Sequence, residues 1–227
     1  MHYRIDYVGQ DRAPVIVIDD AWPNAQALLE LAASRTDFER KSLYYPGVRS
    51  PAPVDYAKGI VAQLNDLIRS TFALQDEIVI TDSTFSIVST PAEKLVPFQR
   101  VPHFDSVDPN GLALLHYLCD LGGTSFYRHR STGLEFITAD AQEDYIRRVN
   151  AEVKASGLPP PAYVDGDTAL FERTAKYEAA FNRALIYRGS MLHSVNVPRG
   201  FVPKADPRGG RLSLNTFLTV RSPKNPG

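Results

Sequence analysis

The hydrophobic period changes once along this chain, and the change narrows sharply the folds open to it. Before about residue 75 two segments carry the 3.6-residue period of a helix. Asn24 can cap a helix running to about Ser34, with Leu28, Leu29 and Ala32 on one face. Residues 54–73 place Ile60, Leu64, Ile68 and Phe72 on a single stripe. From residue 77 the period moves toward two, through EIVITDSTFSIVST, VPFQRVPHF, LALLHYLCD and TSFYR. Strands are also expected at 3–8, 14–18, 182–188, 191–197 and 211–220.

Helical patterns return only at about 139–156, closed by Pro159 to Pro161, and at 166–179. Helices first and strands afterwards, with one helical interruption, predict a mainly β chain with flanking helices, folded as a sandwich or barrel. We read one domain over 1–227: a helical N-terminal support over about 1–75, a β core over about 77–220 and a helical insertion over about 139–180. That insertion is expected to act as a lid or partner surface, because it interrupts the β pattern.

Bulk properties exclude several functions. Formal net charge is −1, too small a field to draw the chain to nucleic acid or an anionic membrane surface. The single cysteine, Cys119, rules out an intrachain disulfide and favours a reducing compartment. The N-terminus lacks a signal-like apolar run, and no stretch approaches a spanning helix. The expectation is a soluble cytoplasmic protein acting on a small molecule or peptide, with a homodimer open.

Chemistry concentrates in four places. His103 and Asp105, expected at a strand end, stand at i and i+2, so both side chains can reach one ion. The pair alone is weak: five histidines and 26 acidic residues yield roughly half a His-x-acid match by chance. His193 adds weight, since two histidines and one carboxylate leave open coordination positions suited to iron(II). Arg211 opens RLSLNTF, where alternation puts Arg211, Ser213 and Asn215 on one face. An inward guanidinium needs an anion; a carboxylate fits its fork, and Ser213 can add a hydroxyl. The competing reading of Arg211 is an internal salt bridge.

The text from His103 to Phe217 resembles the prolyl-hydroxylase-like branch of the iron(II)/2-oxoglutarate dioxygenases. The matching runs are HFDSVDPNGLALLHYLCDLGGTSFY, LIYRGSMLHSVNVP and GGRLSLNTF. The resemblance implies a double-stranded β-helix (a jelly roll, cupin-like). It implies iron(II) on His103, Asp105 and His193, with 2-oxoglutarate as cosubstrate and dioxygen as oxidant. Arg211 and Tyr117 correspond to the residues that receive the cosubstrate's far carboxylate. His116 points the other way, and Gly122 and Gly123 are turn residues. The loop from His193 to Arg211 is longer than is usual in that family, and the 139–180 insertion is large. An aspartate at the carboxylate position favours hydroxylation, or another oxidation, of an amino acid, peptide or small metabolite over halogenation.

Two other classes compete: a jelly-roll binding or scaffold protein without turnover, and a zinc hydrolase, which would need a nearby general base. Four features carry bland expectations. Arg128, His129 and Arg130 read as a solvated turn, and Trp22 with Pro23 as a hydrophobic staple. Tyr44, Tyr45 and Arg49 read as packing around a YPG turn, unless that loop covers the metal mouth. Cys119 reads as a small buried apolar side chain.

Overall fold

The computed structural model describes residues 2–41 and 43–221. Ten strands and three helices follow in the order β1 (His2–Val8), β2 (Ala13–Asp19), α1 (Ala25–Ser34), β3 (Gly47–Pro51), α2 (Val54–Phe72), β4 (Glu77–Val88), β5 (Leu112–Tyr117), β6 (Gly123–His129), α3 (Gln142–Ser156), β7 (Phe171–Glu178), β8 (Ala184–Arg188), β9 (His193–Asn196) and β10 (Arg211–Arg221). Seven strands form one sheet in the order β1-β2-β8-β5-β10-β4-β3, and three form a smaller one, β7-β6-β9. Every pairing is antiparallel. The period change predicts a sandwich or barrel of this kind, and the resemblance implies the jelly-roll core seen here.

The side-chain alternation of each strand sorts residues into layers. On the outer face of the large sheet, Ile87, Leu114, Ile186, Leu212 and Leu214 pack against the helical stripe Ile60, Leu64, Ile68 and Phe72 of α2, and against Leu28 and Ala32 of α1. Burying a side chain of this size stabilises by about 1.5–3 kcal/mol, so this layer anchors the sheet. Between the sheets lie Val15, Val17, Leu115, Tyr117, Phe126, Leu185 and Tyr187. Tyr127, Tyr145, Phe171 and Leu192 form a third cluster, which joins α3 to the small sheet. The Asn24 side chain accepts from Ala27 N at 3.2 Å, as the α1 cap requires. Among the described residues no helix is long and apolar enough to cross a membrane.

Four expectations change. Residues 166–179 do not form a helix: β7 occupies Phe171–Glu178 and pairs with β6. In FERTAKYE, Phe171 and Tyr177 are buried at period two, and the β6 ladder outweighs a weak helical propensity. The 139–180 insertion is thus helical only through α3, and its second half completes the small sheet. VPFQRVPHF is not a strand either; Pro97–Arg100 forms a short 3-10 turn, and His103 joins His193 in an isolated bridge. Arg128, His129 and Arg130 are not a solvated turn. His129 is fully buried, with Nε2 2.9 Å from Glu152 on α3, while Arg128 pairs with Glu172 and Arg130 with Asp167. Trp22 packs against the cluster that holds Leu28 of α1, and its ring also lies edge-on to Tyr56 of α2 at 5.1 Å. Cys119 is only partly buried.

Candidate metal and cosubstrate site

The three residues of the histidine–aspartate set come from irregular or short segments, and backbone bonds clamp them together. His103 and His193 exchange N–H···O bonds at 2.8 Å in both directions, and Asp105 N donates to Gly189 O at 2.7 Å. Their side chains consequently converge. His193 Nε2 lies 3.4 Å from one Asp105 oxygen and His103 Nε2 lies 3.7 Å from the other. One donor atom from each residue falls within 4.8 Å of the others.

The imidazoles are prepared as ligands. His193 Nδ1 donates to Met191 O at 2.8 Å, which fixes the tautomer and leaves the Nε2 lone pair facing Asp105. For His103, loss of solvation and the proximity of His193 and Arg49 lower the ring to about 4, against the opposing pull of Asp105, although half of its side chain is open to solvent. It is therefore neutral near pH 7, the form that binds a cation.

A cavity of about 1250 Å³ opens beside this triad. Arg211, Ser213 and Asn215 line its wall from the inner face of β10, as alternation requires. Arg211 is 2% exposed and makes no ion pair among the described residues. Its Nη2 donates to Gly123 O at 2.6 Å, and its Nε is buried without a partner. Ser213 Oγ donates to Asn215 Oδ1 at 2.8 Å. Tyr117 lies one layer back. Its ring supports the Arg211 guanidinium at 5.6 Å, and its hydroxyl shares a 2.7 Å bond with Thr124, which does line the cavity. His116 faces the opposite layer, bonded to Tyr56 and Asn182.

Sequence reasoning did not single out Tyr187, although the alternation of ALIYR puts it inward. It lines the cavity, with its ring 5.0 Å from His193, and burial pushes its phenol well above the ordinary range. Tyr44, Tyr45, Pro46 and Arg49 cover one side of the cavity, and Tyr145, Ile146, Val149 and Val153 of α3 cover another. The loop at Tyr44–Arg49 therefore does reach the mouth. Among the described residues no glutamate lines the cavity.

With its jelly roll of two facing sheets, the chain has the fold of the iron- and 2-oxoglutarate-dependent oxygenases. Similar solved structures include HygX from Streptomyces hygroscopicus with iron bound, at 13% identity, 92% and 83% coverage of this chain and that one, and a TM-score of 0.52. HygX with nickel, 2-oxoglutarate and hygromycin B matches at 11% identity, 92% and 84% coverage and a TM-score of 0.51. The non-haem alpha ketoglutarate dependent epimerase SnoN from nogalamycin biosynthesis matches at 11% identity, 92% and 78% coverage and a TM-score of 0.51. The chain belongs to the DUF6445 family, a family of unknown function, whose model matches residues 1–218. No curated protein matches it in sequence.

Proposed function

We propose that this protein is an iron(II)- and 2-oxoglutarate-dependent oxygenase that hydroxylates a C–H bond of an amino acid, peptide or small metabolite. One observation carries the reading: two histidines and an aspartate converge within 4.8 Å and share one cavity with a buried arginine that has no counter-ion among the described residues. A neutral His103, an oriented His193 and Asp105 make a donor set that suits iron(II) with open positions.

When bound, the iron and the cosubstrate would supply the oxidising chemistry. This chain's own residues supply position and dryness. His103, Asp105 and His193 would hold the metal. Arg211 fixes a carboxylate through its fork, and Ser213 offers a hydroxyl beside it. Tyr187 and Phe104, with the apolar stripe of α3, keep water from the reacting end. A volume of about 1250 Å³ exceeds the ~300–1,000 Å³ of usual ligand pockets, so a second molecule fits beside the cosubstrate. The substrate is drawn from the small-molecule and peptide classes, consistent with a mouth shaped by Tyr44, Phe98 and Pro159.

The test is anaerobic titration of iron(II)-loaded protein with 2-oxoglutarate. A metal-to-ligand charge-transfer band, followed on aeration by 2-oxoglutarate-dependent oxygen uptake, is expected. A band without uptake, even when candidate substrates are added, would favour the scaffold reading; neither signal would end the proposal.

A further inference from the structure

The reading above leaves open which phenol meets the cosubstrate's far carboxylate. Tyr117 is compromised for that task. Its hydroxyl is engaged by Thr124, and its ring sits behind Arg211 and off the cavity wall. Another phenol from a different part of the chain is better placed. Tyr45, just before β3, lines the cavity, and its buried hydroxyl has no hydrogen-bond partner. Arg211 Nε and Arg49 Nε share that condition on the same cavity wall. Buried polar atoms are nearly always paired, so three unpaired ones in one cavity mark a place that a ligand's polar atoms complete.

Resting on the oxygenase reading, we propose that Tyr45 supplies the phenol that receives the far carboxylate of 2-oxoglutarate, and that Arg49 holds Tyr45 in place. Arg49 lies over the Tyr45 ring, with its guanidinium carbon 4.4 Å from the centroid, and pairs with no carboxylate among the described residues. The register connects this segment to Arg211. Ser213 of β10 pairs with Ser86 of β4, which in turn pairs with Arg49 of β3; Arg211 and Gly47 both pair with Val88. The loop is pinned where it must be, since Ser89 N and Thr90 N both donate to Pro46 O, at 3.2 and 3.1 Å. Burial raises the Tyr45 phenol, against the pull of Arg211, then Arg49, and of the nearby Ser213 hydroxyl, whose own proton goes to Asn215, so it remains a proton donor at neutral pH. A protonated phenol beside a guanidinium is the donor set a carboxylate accepts from. The N-terminal segment thereby becomes part of the cosubstrate site.

The experiment measures 2-oxoglutarate affinity by the anaerobic charge-transfer band, and by calorimetry on the nickel-loaded protein, for wild type, Tyr45→Phe and Tyr117→Phe. Pyruvate, which chelates metal but lacks the far carboxylate, is the control ligand. Tyr45→Phe is expected to weaken 2-oxoglutarate by about tenfold or more and to leave pyruvate affinity as in wild type. Tyr117→Phe should weaken 2-oxoglutarate less. Removing an unpartnered hydroxyl should not lower the melting temperature of the ligand-free protein; if Tyr45→Phe nevertheless fails to fold, Tyr45→Met carries the same comparison. Unchanged 2-oxoglutarate affinity in the Tyr45 variant, or an equal loss for pyruvate, would overturn the assignment. Wild type that binds neither ligand would instead sink the oxygenase reading itself.

Discussion

His116 shows how far one buried side chain can set the acid limit of this protein. Asn182 Oδ1 can only accept, so His116 Nε2 carries the proton at 3.0 Å and Nδ1 accepts from the Tyr56 hydroxyl at 2.9 Å. The neutral ring is satisfied on both sides. Burial, against the smaller pull of Asn182, holds the group down to about 4, below the ordinary 6.5. Between these pH values the unfolded chain binds a proton that the folded chain refuses, so stability rises with pH. The contribution is complete above pH 6.5 and is lost as pH falls toward 4. Wild type should lose about 2 kcal/mol from this group between pH 7.5 and 5, and His116→Gln should not. Denaturant unfolding at both pH values checks this; equal losses in the two proteins would refute it. That His116 faces away from the metal is legible from strand alternation, as are His103, Asp105, His193 and Arg211 from spacing and order. Tyr45 is legible only as part of a loop that could cover the mouth. Its place depends on which strand β3 pairs with, a long-range choice that no local period records.

At the scale of elements, the Gly122–Gly123 turn into β6 joins the fold to the site. Gly122 has φ +71°, and a Cβ there would meet Asn196 O at 2.0 Å; a Cβ at Gly123 would meet Tyr177 O at 1.9 Å. These glycines let β6 pass between β9 and β7, and Gly123 O then receives Arg211. Gly122→Ala is expected to destabilise by at least about 1 kcal/mol, or roughly 2–4 °C in melting temperature. It should also weaken 2-oxoglutarate binding, because the acceptor that positions Arg211 moves. A variant with wild-type melting and affinity would show that the turn tolerates a side chain and does not hold the arginine. The same region marks the limit of reading elements from sequence. The α2 stripe and the β4, β5 and β10 alternations are long enough for periodicity to identify. FERTAKYE is eight residues of mixed propensity, and only the open edge of β6 makes it a strand. His129 appears within a basic run, yet it is buried because α3 closes over it through Glu152, a contact 23 residues away along the chain.

For the whole molecule, the site and the fold are coupled through ligand linkage, which offers a test independent of turnover. The histidine–aspartate set links the two sheets: His193 begins β9, an edge of the small sheet, and Asp105 N is bonded to Gly189, which follows β8 inside the large one. An ion held there resists separation of the sheets and stabilises the native state by mass action. At one hundred times its dissociation constant a ligand adds about 2.7 kcal/mol, which for a chain of this size is roughly 5–10 °C. Nickel should therefore raise the melting temperature of wild type, and 2-oxoglutarate should raise it again only once the metal is present, because one end of the cosubstrate needs the ion. Asp105→Ala should abolish both increments. Arg211→Ala should keep the first and lose the second, since the proposed role of the arginine is toward the far carboxylate and not toward the ion. Thermal melts of the three proteins with metal, cosubstrate or both separate these cases. If 2-oxoglutarate stabilises wild type fully without metal, or Arg211→Ala retains the second increment, the cavity does not bind a chelated dicarboxylate, and the buried arginine serves some other anion.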